Sequence, residues 1–175
     1  MPRPLLVVVT GRPGAGKSTL ALALSEVLRL PLVSRDVFKE NLVRSQSEEI
    51  PQRDLNLAAT DAFFEAIERP LVRGTSLVAE AAFQHSVWCS RLQPFLPTAD
   101  VRIVVCQVPA ALAWERVQER MSRDPEWSRY HPISTVHRGA DEPYDPPRLL
   151  QVPTLEIDTS EELPAPLALA LAFLS

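Results

Sequence analysis

The chain has 175 residues, a formal net charge of −4, and 46% hydrophobic and 23% charged residues, a composition for one globular domain with a substantial core and no room for two ordinary ones. The acidic balance argues against a general nucleic-acid coat, which would need clustered cations to neutralise phosphates. No apolar run approaches a membrane span and the amino-terminal apolar stretch is too short for a secretory signal, so a cytoplasmic protein with no membrane partner is expected.

Leu5 to Val9 is a short, mostly β-branched run of the kind that forms a strand buried on both faces. Directly after it, GRPGAGKS at residues 11–18 fills every fixed position of the phosphate-binding P-loop, G-x-x-x-x-G-K-[ST]. Gly11, Gly14 and Gly16 allow the tight turn, with Arg12, Pro13 and Ala15 between them. The successive N–H groups and the following helix then make a nest for a polyphosphate. Lys17 reaches the β- and γ-phosphates and the Ser18 hydroxyl holds Mg²⁺. Thr19 to Leu30 carries Leu20, Ala23, Leu24, Val27 and Leu28 at helical spacing, with Pro31 as the stop. Strand, glycine turn and helix are the context the motif requires, and they make nucleotide binding the first expectation. A guanine-reading N-K-x-D stretch is absent, which argues against a GTPase switch.

Further strands are expected near 31–34, 76–79, 101–106 and 154–157. Helices are expected near 36–45, 54–69, 86–93, 110–122 and 161–173. This alternation is the signature of βαβ units and a parallel sheet, hence an α/β fold. Leu55, Ala59, Ala62, Phe63, Ala66 and Ile67 share one helix face and read as core. Cys89 and Cys106 lack CxxC spacing and read as reduced core residues. Leu163 to Leu174 reads as a covering helix, with Asp158 or Ser160 as its cap.

The second informative site follows the second strand. Ser34-Arg35-Asp36 with Lys39 lies at the carboxyl end of that strand, where ligands of open α/β sheets sit. Asp36 can accept a proton from an attacking hydroxyl, or it can cap the helix that follows. Glu80 ends the third strand, where an unpaired buried charge would be costly, so it is functional or else a partly exposed turn residue or an ion-pair partner. Arg116, Arg120 and Arg123 can share a helix face, although Glu119 and Arg123 also form an i, i+4 pair of a solvated helix. From Asp124 to Pro153, six prolines are expected to break any helix or strand. The region 116–150, with Arg129, Arg138, His131 and His137, is either a lid over the phosphates or an irregular covering loop. Neither histidine fits a zinc spacing; each is a candidate acceptor contact.

GRPGAGKST followed by SRDVFK resembles the small P-loop kinases that include the 5′-kinase domain of polynucleotide kinase, the chloramphenicol phosphotransferases and the zeta-toxin-like kinases. It looks most like the first. The resemblance implies a three-layer P-loop NTPase fold with a five-stranded parallel sheet and an arginine-bearing lid. It further implies transfer of the γ-phosphoryl of ATP to a hydroxyl, with Mg²⁺. In the polynucleotide kinase pattern R-D-x-x-R, Arg35 and Asp36 match an acceptor-binding cation and the general base. Lys39 stands where the second arginine would be and cannot make its planar bidentate contact, which argues against a phosphorylated polynucleotide acceptor. The resemblance also puts Glu80 near the Mg²⁺ site or the acceptor and makes Arg116 and Arg120 lid arginines. A small hydroxyl-bearing acceptor is the favoured partner. A polynucleotide 5′-hydroxyl kinase and a nucleotide-dependent regulator or hydrolase are the alternatives.

Overall fold

Strands covered on both faces are apolar at successive positions, and the computed structural model bears this out. It describes residues 2–45, 51–131 and 143–175; Pro132, His137 and Arg138 of the expected lid, with residues 46–50, lie outside the described residues. Strands β1 (Leu5–Gly11), β2 (Leu32–Ser34), β3 (Leu77–Ala81), β4 (Asp100–Gln107) and β5 (Thr154–Asp158) form a parallel sheet. Their order is β2-β3-β1-β4-β5. Helices α1 (Lys17–Leu28), α2 (Arg35–Ser45), α3 (Gln52–Val72), α4 (His85–Leu92), α5 (Ala110–Arg123), α6 (Pro125–Tyr130) and α7 (Ala165–Leu174) connect and cover it.

The two-residue period of the strands divides the core into two layers. Leu6, Val8, Leu77, Ala79, Ile103 and Val105 pack with Phe63 and Ile67 of α3 and Trp88 of α4. Val7, Val9, Val78, Val104 and Ile157 pack on the opposite face with Leu20 and Leu24 of α1 and Ala170 and Leu174 of α7. Each fully buried Val, Leu or Ile contributes about 1.5–3 kcal/mol relative to exposure, so these two layers dominate the stability of the sheet. The expected α/β class and five-stranded parallel sheet are therefore observed.

Parity also aims two polar residues. Thr10 shares the face of Val8, where its hydroxyl donates to the Ala81 carbonyl and accepts from Trp88 Nε1. Glu80 shares the face of Val78, toward α1, and lies in register with Ser34 of β2. The chain leaves β1 for β2 and β3 on one side and crosses later to β4 on the other. The turn after β1 thus sits at the switch point of the sheet.

Three expectations need correction. Residues 125–130 are helical despite Pro125, because proline at the first helical position forfeits no hydrogen bond and Asp124 caps the Trp127 N–H at 2.9 Å. Cys89 is half-buried beside His85, 3.3 Å from its Nδ1, because it lies on the outer side of α4; only Cys106 belongs to the core. Neither Asp158 nor Ser160 caps the last helix. Asp158 instead accepts from the Ser160 N–H in a local turn, and α7 begins at Ala165, with Pro164 as its N-cap residue and Pro166 in the first turn, where a missing N–H forfeits no helical hydrogen bond. From 143 to 153 the chain follows the alternative to the lid, an irregular cover: Tyr144, Leu149 and Val152 pack on the α3–α4 side of the core.

Candidate active site

The glycine turn is shaped by close approach as much as by φ. Gly14 has φ of 80° and a Cβ there would lie 2.1 Å from the Ala113 carbonyl oxygen, so only glycine lets α5 come this near. Gly16, at φ of 77°, hands the chain into α1, whose first hydrogen bond runs from Leu20 N to Gly16 O at 3.1 Å. The N–H groups of the first turn have no partner within the helix. They border a cavity of about 460 Å³ lined by Gly14, Gly16, Lys17, Ser18, Thr19, Arg116 and Arg120 and, at its far end, by Thr159, Glu161, Leu163 and Pro166. Ser18 and Thr19 are exposed there, whereas Gly11 and Ala15 are buried and Arg12 and Pro13 half-buried.

Glu80 is 2% exposed and has two partners. Its Oε1 lies 3.6 Å from Lys17 Nζ, and its Oε2 accepts from the Ser34 hydroxyl at 2.7 Å. Of the two structural alternatives, it is an ion-pair partner and not an exposed turn residue. Ser34 immediately precedes α2, so this carboxylate joins the glycine turn to the helix that carries Arg35, Asp36 and Lys39.

Those three residues do not line the cavity itself. Asp36 stands in the first turn of α2, where the helix dipole favours a carboxylate, and it is inside the helix and not its cap. Arg35 Nη1 is 3.9 Å from Asp36 Oδ1, and Arg35 Nη2 donates to Asn56 Oδ1 at 3.1 Å. Burial lowers the Arg35 pKa, and Asp36 opposes that shift. Lys39 is 2% exposed; burial, reinforced by Arg35 and opposed by Asp36, brings its ammonium down to about 8. From the other side His131 Nε2 comes to 3.9 Å from Asp36 Oδ2.

Arg116 and Arg120 both reach the cavity, by different routes. Arg116 donates to the carbonyls of Thr159 at 2.9 Å and Ser160 at 2.8 Å, tying α5 to the loop before α7. Arg120 lies over the Trp127 ring, 4.7 Å from its centroid. Arg123 pairs with Glu119 on the solvent side.

The AAA domain family matches residues 6–135 of this sequence. The chain belongs to that family. Solved structures give this AAA domain kinase-like neighbours. A provisionally named kinase from Chloroflexus aurantiacus is 26% identical with a TM-score of 0.78, over 90% of this chain and 89% of that one. A gluconokinase from Sinorhizobium meliloti is 21% identical with a TM-score of 0.67, over 99% and 93%. The APS kinase of Mycobacterium tuberculosis, solved with AMPPNP and APS, is 18% identical with a TM-score of 0.65, over 99% of each chain. No curated protein sequence matches. The expected P-loop kinase-like fold is thereby established for this AAA domain; the last two likenesses bear on fold alone.

Sequence reasoning passed over several residues of the AAA domain. Thr159 caps the cavity by donating to the Ala15 carbonyl at 2.7 Å, a contact spanning 144 positions. Glu40, one turn after Asp36, lies 3.9 Å from His131 Nε2. Arg44 reaches Tyr130 and Glu126, fastening α6 to α2. Only Glu40 carried a local signal, its i, i+4 spacing from Asp36. Among the described residues no helix is long and apolar enough to cross a membrane.

Proposed function

We propose that this AAA domain is an ATP-dependent phosphotransferase that moves the γ-phosphoryl group onto a hydroxyl of a small-molecule or nucleoside-like acceptor. The observation that carries the reading is Glu80, whose buried carboxylate touches Lys17 of the glycine turn and, through Ser34, the start of the helix bearing Asp36. A donor cradle and a candidate base then share one site. The kinase-like family neighbours support the same reaction class.

In this reading the N–H groups from Gly14 to Thr19 and the Lys17 ammonium hold the phosphates, with Gly11, Arg12, Pro13, Gly14, Ala15 and Gly16 shaping the turn around them. Asp36 takes the proton of the acceptor hydroxyl as its oxygen attacks the γ-phosphorus, the bond to the β,γ-bridging oxygen breaks, and ADP departs with that electron pair. Arg120 faces the developing charge, and Arg116 braces the far wall while presenting its guanidinium to the same cavity. Arg35 and Lys39 offer donors to the acceptor. The exposed Ser18 hydroxyl and the Glu80 carboxylate beside Lys17 are hard oxygen donors of the kind that suit Mg²⁺, and these two residues would hold it. When bound, that ion neutralises phosphate charge.

A screen with γ-labelled ATP against pooled nucleosides, sugars, antibiotics and 5′-hydroxyl oligonucleotides tests the proposal. Label on a small molecule is the expected result. Label only on oligonucleotides would replace it with a polynucleotide kinase, and release only as phosphate with a hydrolase or regulator.

A further inference from the structure

Between α2 and α6, facing the carboxylate proposed as the base, a buried imidazole nitrogen has no hydrogen-bond partner among the described residues. It is Nε2 of His131, whose side chain is 10% exposed and which stands 3.9 Å from both Asp36 Oδ2 and Glu40 Oε1. Trp127 stacks on the ring with centroids 4.5 Å apart, fixing its orientation. An unpaired buried polar group costs about 1–3 kcal/mol. Both separations exceed a direct hydrogen bond, and the nitrogen has almost no open surface, so an oxygen bridging it to either carboxylate would enter with a small outward shift of the carboxylate side chains.

The chemistry of that bridging group is constrained. Burial, outweighing the pull of Asp36, brings the imidazole down to about 4, so it is neutral at pH 7. In its Nε2–H form it offers a donor, whereas the two carboxylates only accept. Asp36 and Glu40 are offset by Arg35, Lys39 and Arg120 around the same ring, so net charge does not select the group, whereas an apolar group would leave the imidazole nitrogen unpaired. A hydroxyl accepts from the imidazole and donates to a carboxylate at once. Asp36 and Glu40 are one turn apart on the same face of α2, so they offer places for two hydroxyls.

Resting on the phosphotransferase reading, we propose that His131 and Glu40 bind the acceptor and select a polyol. His131 Nε2–H donates to, and Glu40 accepts from, a hydroxyl neighbouring the one that Asp36 deprotonates. Neither residue takes part in bond making. Both act on which molecule is held and in what orientation.

The test uses the full chain labelled with ¹⁵N-histidine, in which three imidazoles are observed and His131→Gln identifies one of them. Sugars, alditols, cyclitols, sugar acids and ribonucleosides are titrated beside counterparts lacking one hydroxyl, with inorganic phosphate as the anionic control. The His131 signal is expected to move with a polyol, and the deoxy counterpart to bind roughly ten-fold weaker or worse. Glu40→Gln and His131→Phe are expected to weaken polyol binding by a similar factor while ATP affinity stays within about two-fold, and His131→Gln to recover part of the loss. His131→Phe keeps the stacking on Trp127, and Glu40→Gln gives the same reading should that variant not fold. The proposal is overturned if no polyol in the panel moves the signal, if deoxy counterparts move it equally, or if only phosphate does. Polyol binding without phosphoryl transfer sinks the enzymatic reading and leaves this site standing; efficient transfer to a monohydroxy acceptor does the reverse.

Discussion

Lys17 and Glu80 face each other at 3.6 Å with side chains only 10% and 3% exposed. Removing one member of such a pair leaves the other charged and poorly solvated. Glu80→Ala is expected to destabilise the fold by about 3 kcal/mol. Glu80→Gln, which can still accept from Ser34, should cost clearly less. Urea denaturation of the two variants measures the difference, and coincident midpoints would show that the charge itself is idle.

Asp36 should separate chemistry from nucleotide binding. Because it lies on α2 and outside the cavity, Asp36→Asn is expected to leave the ATP dissociation constant within about two-fold and to lower phosphoryl transfer by roughly 10² or more. Calorimetry and labelled-phosphate transfer on one preparation check both halves. Intact transfer would remove Asp36 from the reaction.

Two glycines provide a matched steric test. Gly14 and Gly74 have φ of 80° and 76°, but a Cβ on Gly74 meets nothing within 4 Å whereas one on Gly14 collides with Ala113. Gly74→Ala should cost about 1 kcal/mol for the backbone conformation alone. Gly14→Ala should cost a further 1–3 kcal/mol or so by prising α5 from the turn, and ATP-induced thermal stabilisation should vanish with it. Equal midpoints would show that α5 yields freely.

The pH dependence of stability should carry the mark of His131, around which Asp36, Glu40, Lys39, Arg120 and Arg35 are grouped. Its imidazole falls from an ordinary 6.5 to about 4 on folding, so between these values the unfolded chain binds more protons. The contribution is whole above pH 6.5 and is lost as the pH drops, by about 2 kcal/mol at pH 5 and about 3 kcal/mol at pH 4. His131→Gln should flatten this decline in urea midpoints taken at pH 7.5, 6 and 5. Lys39, lowered from 10.5 to about 8, acts at the alkaline end: stability rises with pH between those values.

Arg116 and Arg120 should fail differently. Arg116→Ala removes two bonds to the carbonyls of Thr159 and Ser160 and is expected to weaken ATP binding about ten-fold. Arg120→Ala spares that wall and should lower kcat with little change in ATP affinity. Identical effects on both constants would mean that the two arginines share one role.

The sheet was legible because strands covered on both sides must be apolar at consecutive positions, as Leu6 to Val9 are. The glycine turn was legible because its groups are neighbours in sequence. Helix α6 was not, since six prolines masked a start signal that Asp124 and Pro125 carried all along. The partners of Arg116 lie 43 and 44 positions away, and His131 is 95 residues beyond Asp36. Such contacts arise only when α5 and α6 fold back, and no local pattern announces them. Glu80 shows the intermediate case: its cost as a buried acid was readable, but its partners depended on strand register.

The strand order allots the two halves of this site to opposite wings of one scaffold. The cavity proposed for the triphosphate is walled by α5 and the segment entering α7, on the β4 and β5 side, while the helix bearing Asp36 follows β2 at the other edge of the sheet. On that reading, replacing residues 36–45 would change what receives the phosphoryl group while keeping Ser34 and the Glu80 contact that steadies the donor side. The same molecular chassis would thus be refitted for new recipients by exchanging one peripheral helix together with the short segment that carries His131 against it.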